Sequence, residues 1–103
     1  MNPPITHDQS RHHFVMNLGD QSAMLVYGLN ENVMTMLHTE VPPAFQGHGV
    51  AAELAHAALD FARKAGFSVV PLCPFVVEYL RKNREFLDVV QPEYRARLSE
   101  TEG

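Results

Sequence analysis

The sequence predicts an α+β fold in which an antiparallel meander passes into a parallel strand pair and carries two helices. Three observations predict it. Runs of period two lie between His12 and Val41, an alanine-rich stretch of helical period follows from Val50 to Ala65, and a short apolar run follows from Phe67 to Leu72. A strand, a helix and another strand in succession imply a parallel crossover, so the last strand should lie beside the third strand of the meander.

Each element has a local reason. Residues 1–10 are polar, carry Pro3 and Pro4, and read as a flexible N-terminal arm ahead of a single domain at residues 11–103. The run from His13 to Leu18 ends at Gly19-Asp20, and the run from Ser22 to Leu29 ends at Asn30-Glu31-Asn32. The third, from Val33 to Val41, ends at Pro42-Pro43. Strict alternation in that third run puts Met34, Met36, His38 and Glu40 on one face, with Val33, Thr35, Leu37, Thr39 and Val41 on the other.

Seven alanines lie between Val50 and Ala65, and Val50, Leu54, Ala58, Phe61, Ala62 and Ala65 form a stripe at helical spacing. Gly66 is a natural stop for that helix. The run after it suits a buried strand, and a second, shorter helix is expected after Cys73, with Phe75, Val76, Tyr79 and Leu80 on its apolar side. The tail from Glu93 onward is expected to be partly helical or frayed.

Composition narrows the function classes. The chain has 103 residues, 46% hydrophobic and 19% charged, which fits one small globular domain. A net charge of −4 argues against a nucleic-acid partner or an anionic membrane surface. No apolar run is long enough to span a bilayer, and the N-terminus has no apolar signal core. The single cysteine, Cys73, fits a reducing compartment, so a cytoplasmic location is expected.

The start of the long helix carries the chemistry. Just before Val50 there is no Ser, Thr, Asp or Asn to cap the free backbone N–H groups. Gly47 and Gly49 stand there instead, and they let a ligand approach the backbone closely. Unmet donors at the positive end of a helix dipole make an anion site, to which His48 can add a donor or a charge. The spacing Gly47-x-Gly49-x-x-Ala52 formally matches a dinucleotide fingerprint, but the wholly parallel context and the later acidic residue are missing. A triphosphate loop needs Lys-Ser or Lys-Thr where Val50-Ala51 stand.

At these residues the chain resembles a known family. Gln46-x-x-Gly49-x-Ala51 resembles the Q/R-x-x-G-x-G/A signature of the GNAT acyltransferases. Its surroundings, His38-Thr39-Glu40-Val41-Pro42 before it and Pro71-x-Cys73-Pro74-Phe75-Val76 with Tyr79-Leu80 after it, are similar to a small, truncated GNAT-like group of N-acetyltransferase domains. The resemblance covers roughly Phe14 to Val90. It implies a GNAT-like fold and an acetyl-coenzyme A site, with the pyrophosphate cradled by Gln46, Gly47, His48, Gly49, Val50 and Ala51. It places the thioester between Cys73 and the end of the third run, near Thr39 to Val41, and brings Tyr79 and Asn83 near the cofactor. The reaction it implies is acetyl transfer to an amine acceptor, such as a lysine side chain or a small amine. A coenzyme A-binding module without transfer is the alternative.

Three residues are the candidates for catalysis. Proline at the first helical position pushes Cys73 out of the α region and makes it the N-cap of the second helix, where a helix dipole favours a thiolate. Cys73 therefore reads either as a nucleophile or as a small buried apolar residue. Pro71 removes a ladder hydrogen bond, so the strand must lose its partner near that level. Glu40 suits the role of the base that takes the amine proton, with His38 as the alternative. On one strand face the two lie about 7 Å apart. His12 and His13 point to opposite faces, and His48 and His56 have no carboxylate at a metalloprotease spacing, so no metal site is expected. The acceptor side is expected to be open or completed by a second subunit, with the protein a monomer or homodimer.

Overall fold

The computed structural model describes residues 3–100, with side chains through Leu98. Five strands form one sheet in sequence order: β1 (Ile5–Asp8), β2 (His13–Leu18), β3 (Gln21–Asn30), β4 (Val33–Glu40) and β5 (Ser68–Pro71). The first four are antiparallel neighbours, and β4 pairs with β5 in parallel. Helix α1 (Val50–Ala65) makes the crossover, α2 (Pro74–Lys82) follows β5, and α3 (Pro92–Glu100) closes the described chain. The meander and its passage into a parallel pair follow the sequence expectation. None of the three helices is long and apolar enough to cross a membrane.

Two expectations are corrected at the chain ends. The segment read as a loose arm supplies an edge strand, in which Ile5 lies opposite Met16 and His7 opposite Phe14. His7 holds it down: its ring stacks on Phe14 at 4.0 Å between centroids, meets Phe61 edge-on at 4.4 Å, and bonds the Tyr27 hydroxyl at 2.6 Å. A histidine counts as polar in a hydropathy pattern, yet here it packs as an aromatic. At the other end the tail, expected to be partly helical or frayed, forms the helix α3, so the α-helices among the described residues number three where two were expected. Met1, Asn2 and residues 101–103, parts of the expected arm and tail, lie outside the described residues.

The core lies on one face of the sheet. Phe14, Met16, Leu18, Ala23, Leu25, Tyr27, Met34 and Met36 alternate along the strands and are buried under the helices. Helix α1 answers with Val50, Leu54, Ala55, Ala58, Leu59 and Ala62. Phe61 is only half-buried and Ala65 exposed, so the apolar face is centred one row away from the expected stripe. On α2, Val76 and Leu80 are buried, but Phe75 is 45% exposed rather than part of the apolar side. Strand residues pointing the other way, such as Val15, Met24, Val26 and Thr35, are only half-buried. The principal extents of 39 × 33 × 19 Å match a sheet with one helical layer.

One irregularity shapes the site. Val26 pairs with His38 and Tyr27 with Met36, so Leu37 is an extra residue in β4. Such a bulge reverses the alternation beyond it. Met34 and Met36 face the core, but His38 and Glu40 do not share their face; Thr39 turns inward and is 8% exposed. His38 lies opposite Val26 and Glu40 opposite Met24, on the uncovered side of the sheet.

Candidate functional site

The site forms where β4 and β5 part. Their register runs from Val33 opposite Ser68 to Met36 opposite Pro71, and there it stops. The Met36 carbonyl accepts both the Leu72 and the Cys73 N–H at 3.0 Å. Pro71 has no N–H to continue the ladder, and the bulge at Leu37 turns β4 away. Beyond Met36, β4 runs on to Glu40 with no β5 partner. Across this opening the Thr39 hydroxyl and the Cys73 thiol are hydrogen-bonded at 3.1 Å, both buried.

The chain then turns through Pro42-Pro43 into a short 3-10 turn, Pro43–Phe45. The Gln46 side-chain amide donates to the Val41 carbonyl at 3.1 Å and ties the end of this turn back to its start. Gly47 and Gly49 both take left-handed backbone angles, φ 84° and 79°. Gly49 is the N-cap of α1, has no side chain to cap with, and accepts the Glu53 N–H at 3.0 Å. The N–H groups of Val50, Ala51 and Ala52 therefore have no acceptor within the helix. A Cβ built at Gly47 or Gly49 would meet nothing within 4 Å. The glycines thus serve backbone conformation and leave open space in front of the helix end.

Two clefts meet at this turn. The smaller, about 140 Å³, lies between Val41, Phe45, the glycine turn and Phe75. The larger, about 420 Å³, continues from Gly47 and Gly49 along α2 past Phe75, Tyr79, Lys82 and Asn83. Together they run from the end of β4, across the α1 N-terminus, to the last turn of α2. The expected cofactor residues Val41, Gln46, Gly47, Gly49, Val50, Ala51, Tyr79 and Asn83 all line one cleft or the other. His48 is exposed in the turn and borders a separate hollow with Phe45 and Gly19.

Other side chains are fixed in ways that limit their roles. The Tyr79 hydroxyl is paired with His56 Nδ1 at 2.9 Å, bridging α2 to α1. Burial, and after it the charge of Glu85, holds its pKa above the usual phenol range. Asn83 caps α2 through its side-chain amide on the Tyr79 carbonyl at 2.9 Å. Cys73 is the α2 N-cap, as its place before Pro74 predicts, but the thiol is fully buried. His38 Nε2 and Glu40 Oε2 are 3.2 Å apart and exposed, so two groups that strand geometry spaces widely reach each other through their side chains. Among the described residues no three His, Cys, Asp or Glu side chains group so as to hold a metal ion.

Sequence reasoning missed Phe75, Phe45 and Lys82, and it placed Thr39 near the thioester without its bond to Cys73. Thr39 faces Cys73 only because of the bulge, which pairing with β3 creates. Lys82, four residues after Glu78 on α2, carries the i,i+4 spacing of the 3.4 Å ion pair that it forms.

Comparison with known proteins gives one family. A model of the GCN5-related N-acetyltransferase family matches residues 13–89, most of the chain. The protein NATD1 of Gallus gallus is 31% identical over 93 residues, covering 85% of this chain and 84% of its own length. NATD1 of Homo sapiens is also 31% identical, with 85% and 82% covered. The solution structure of a GCN5-like protein from Staphylococcus aureus superposes with a TM-score of 0.64 at 22% identity, covering 87% of this chain and 89% of that one, and so shares the fold. The splayed strand pair, the glycine turn and this match agree: the chain belongs to the GCN5-related N-acetyltransferase family.

Proposed function

We propose that this protein binds acetyl-coenzyme A and transfers its acetyl group to an amine. The observation that carries the reading is the glycine turn beside the open edge of β4. Three consecutive N–H groups of α1 lie without helical acceptors, next to a strand that has lost its neighbour. The first suits a pyrophosphate, and the second suits an amide-bearing arm that can pair with a strand edge. The empty space in front of Gly47 and Gly49 satisfies the fit. The bound cofactor would supply the activated acyl group.

The chain's own residues then have separate tasks. Gln46, Gly47, Gly49, Val50 and Ala51 hold the diphosphate, and Val41 with the free edge of β4 positions the arm. Tyr79 and Asn83 form the wall of the larger cleft along α2. Glu40 takes the proton from the acceptor amine, with His38 Nε2 at 3.2 Å as its partner. The amine reaches Glu40 from the uncovered side of the sheet, which bears no helix above His38. Cys73 acts through its bond to Thr39 and fixes the point where the strands separate. A fully buried thiol is poorly placed to carry the acetyl group, so transfer is direct.

Calorimetric titration with acetyl-coenzyme A tests the binding step. Micromolar binding that Gly49→Glu abolishes is the expected result; heat unaffected by that charge would refute the reading. Thiol release with an amine panel tests transfer. A protein that binds the cofactor but releases no thiol with any amine, with Glu40 intact, would be a coenzyme A-binding module.

A further inference from the structure

The basic residues of this chain are segregated. Between Arg11 and Arg63 the sequence holds no Lys or Arg, although five acidic residues lie in that span. Strands β2, β3 and β4 fall wholly within it, and neither β1 nor β5 carries a Lys or Arg. Seven of the eight stand from Arg63 onward, on α1, α2, α3 and the 3-10 turn between α2 and α3. The strands carry Asp8 and Glu40, and the turns that join them carry Asp20 and Glu31, both exposed. Asp8 is paired with Arg11 at the end of β1, so Glu40 is the acid left on the open face of the sheet. The sheet side of the molecule is its acidic side.

The face that bears Glu40 is also apolar. Across the strands from Glu40 stand Met24 and then Val15, and opposite His38 stands Val26. All three are half-buried, on the side away from the helices. Leu37, 44% exposed, lies against Gly28 on the same face: a Cβ at Gly28 would stand 3.9 Å from its side chain. With neighbouring strands about 4.8 Å apart, this apolar floor extends about 10 Å from Glu40. Neither Glu40 nor His38 lines the clefts at the glycine turn. A small free amine would therefore meet Glu40 on an open sheet, with a floor on one side to hold its body.

We propose that this face docks a cationic peptide segment and presents one of its lysines to Glu40. The proposal rests on the acetyl-transfer reading and narrows its acceptor to a lysine side chain within a peptide. An extended chain advances about 3.3 Å per residue, so an apolar side chain two or three residues from the lysine covers Met24 and Val15. Further Lys or Arg residues of the segment meet no like charge on the strands and are drawn to the acids at the turns. The neutral lysine Nζ bonds the acetyl carbon and gives a proton to Glu40. The carbon–sulfur bond breaks with its electron pair on sulfur, and the proton then passes through water to the thiolate.

The test is an NMR titration of the isotope-labelled full chain without cofactor, followed by thiol release with acetyl-coenzyme A. The first probe is an N-acetylated, amidated peptide with a lysine, a nearby leucine and flanking arginines. A second peptide has serine for the leucine, a third has glutamates for the arginines, and n-butylamine is the small amine. The expected result is saturable shifts at Val15, Met24, Val26 and Leu37 with the first peptide, and binding about tenfold weaker for each altered one. Thiol release should follow the same order, with butylamine the poorest acceptor. Val15→Lys should weaken binding of the first peptide by about tenfold and leave acetyl-coenzyme A affinity unchanged. Val15→Glu, which alters the packing as much, should weaken it far less. Equal binding of the basic and acidic peptides, shifts confined to the glycine turn, or faster thiol release with butylamine than with the first peptide would overturn the proposal. Shifts on this face that grow with protein concentration alone would assign it to a second copy and overturn it too. Failure to bind acetyl-coenzyme A would refute the acetyl-transfer reading, while the peptide titration still decides the docking face.

Discussion

Thr39 and Cys73 are hydrogen-bonded at 3.1 Å, and this bond closes the base of the opening between β4 and β5. Neither partner is accessible: Cys73 is fully buried and Thr39 nearly so. Removing the thiol leaves a buried hydroxyl unpaired and a small void. Cys73→Ala should therefore lower stability by about 1–3 kcal/mol. Acetyl transfer should survive within a few-fold, since the thiol is not asked to carry the acyl group. Denaturant unfolding and a thiol-release assay on the same preparation check both parts. Loss of turnover in a variant that remains folded and binds acetyl-coenzyme A, with an acetyl adduct on the native protein, would return Cys73 to a covalent role.

The two glycines of the turn separate stability from binding. Gly47 and Gly49 have positive φ and nothing near the Cβ position, so Ala substitution costs only the left-handed conformation. That cost is about 1–2 kcal/mol per site. For a chain of this size it amounts to a drop of several degrees in melting temperature. Gly49→Glu adds a negative charge at the helix N-terminus, where a diphosphate would sit, and should cut acetyl-coenzyme A affinity far more than Gly49→Ala does. Calorimetry with both variants makes the comparison. Equal losses from the two would point to a purely structural turn.

Glu40 and His38 differ in what they should cost. General-base catalysis contributes roughly 10²–10⁴-fold to rate, so Glu40→Gln should reduce kcat by that order while leaving the KM for acetyl-coenzyme A little changed. His38→Gln removes only the partner 3.2 Å away and should have a smaller effect. Both side chains are exposed, so neither change should disturb folding. Steady-state kinetics at saturating amine distinguishes the two. A Glu40→Gln enzyme with full kcat would move the base elsewhere.

The parts of this site that were legible in the sequence are those set by local backbone chemistry. Gly47 and Gly49 announce positive φ, Pro74 fixes Cys73 as an N-cap, and Pro71 marks the end of a ladder. Each depends on one residue's own torsions. What stayed hidden depends on pairing across the fold. The bulge at Leu37 appears only in the register with Val26 and Tyr27, and it alone turns Thr39 toward Cys73. The strand β1 was hidden because its main inward side chain is His7, whose contribution is aromatic contact rather than hydropathy. Phe75 reads as core from its type, but the cleft beside the glycine turn leaves it in the open.

The His7 clasp makes stability depend on pH. Burial is the main cause holding the His7 pKa below its ordinary value of 6.5, with Asp8 opposing and His12 assisting. The folded state thus favours the neutral ring, and between the two pKa values the unfolded chain binds more protons. Stability from this group is present above the ordinary value and is lost as pH falls through the lowered one. Asp8 acts in a separate, more acid window: its pKa lies below 3.8, chiefly through the Ser10 hydroxyl bond, so its contribution fades only there. Denaturant unfolding at pH 7.5 and at pH 5 should show a loss at the lower pH. His7→Phe keeps an aromatic ring between Phe14 and Phe61 while giving up the Tyr27 bond. It should flatten that part of the pH dependence at the cost of some stability at pH 7.5. A profile unchanged by His7→Phe would assign the acid sensitivity to other groups and leave β1 held by packing alone.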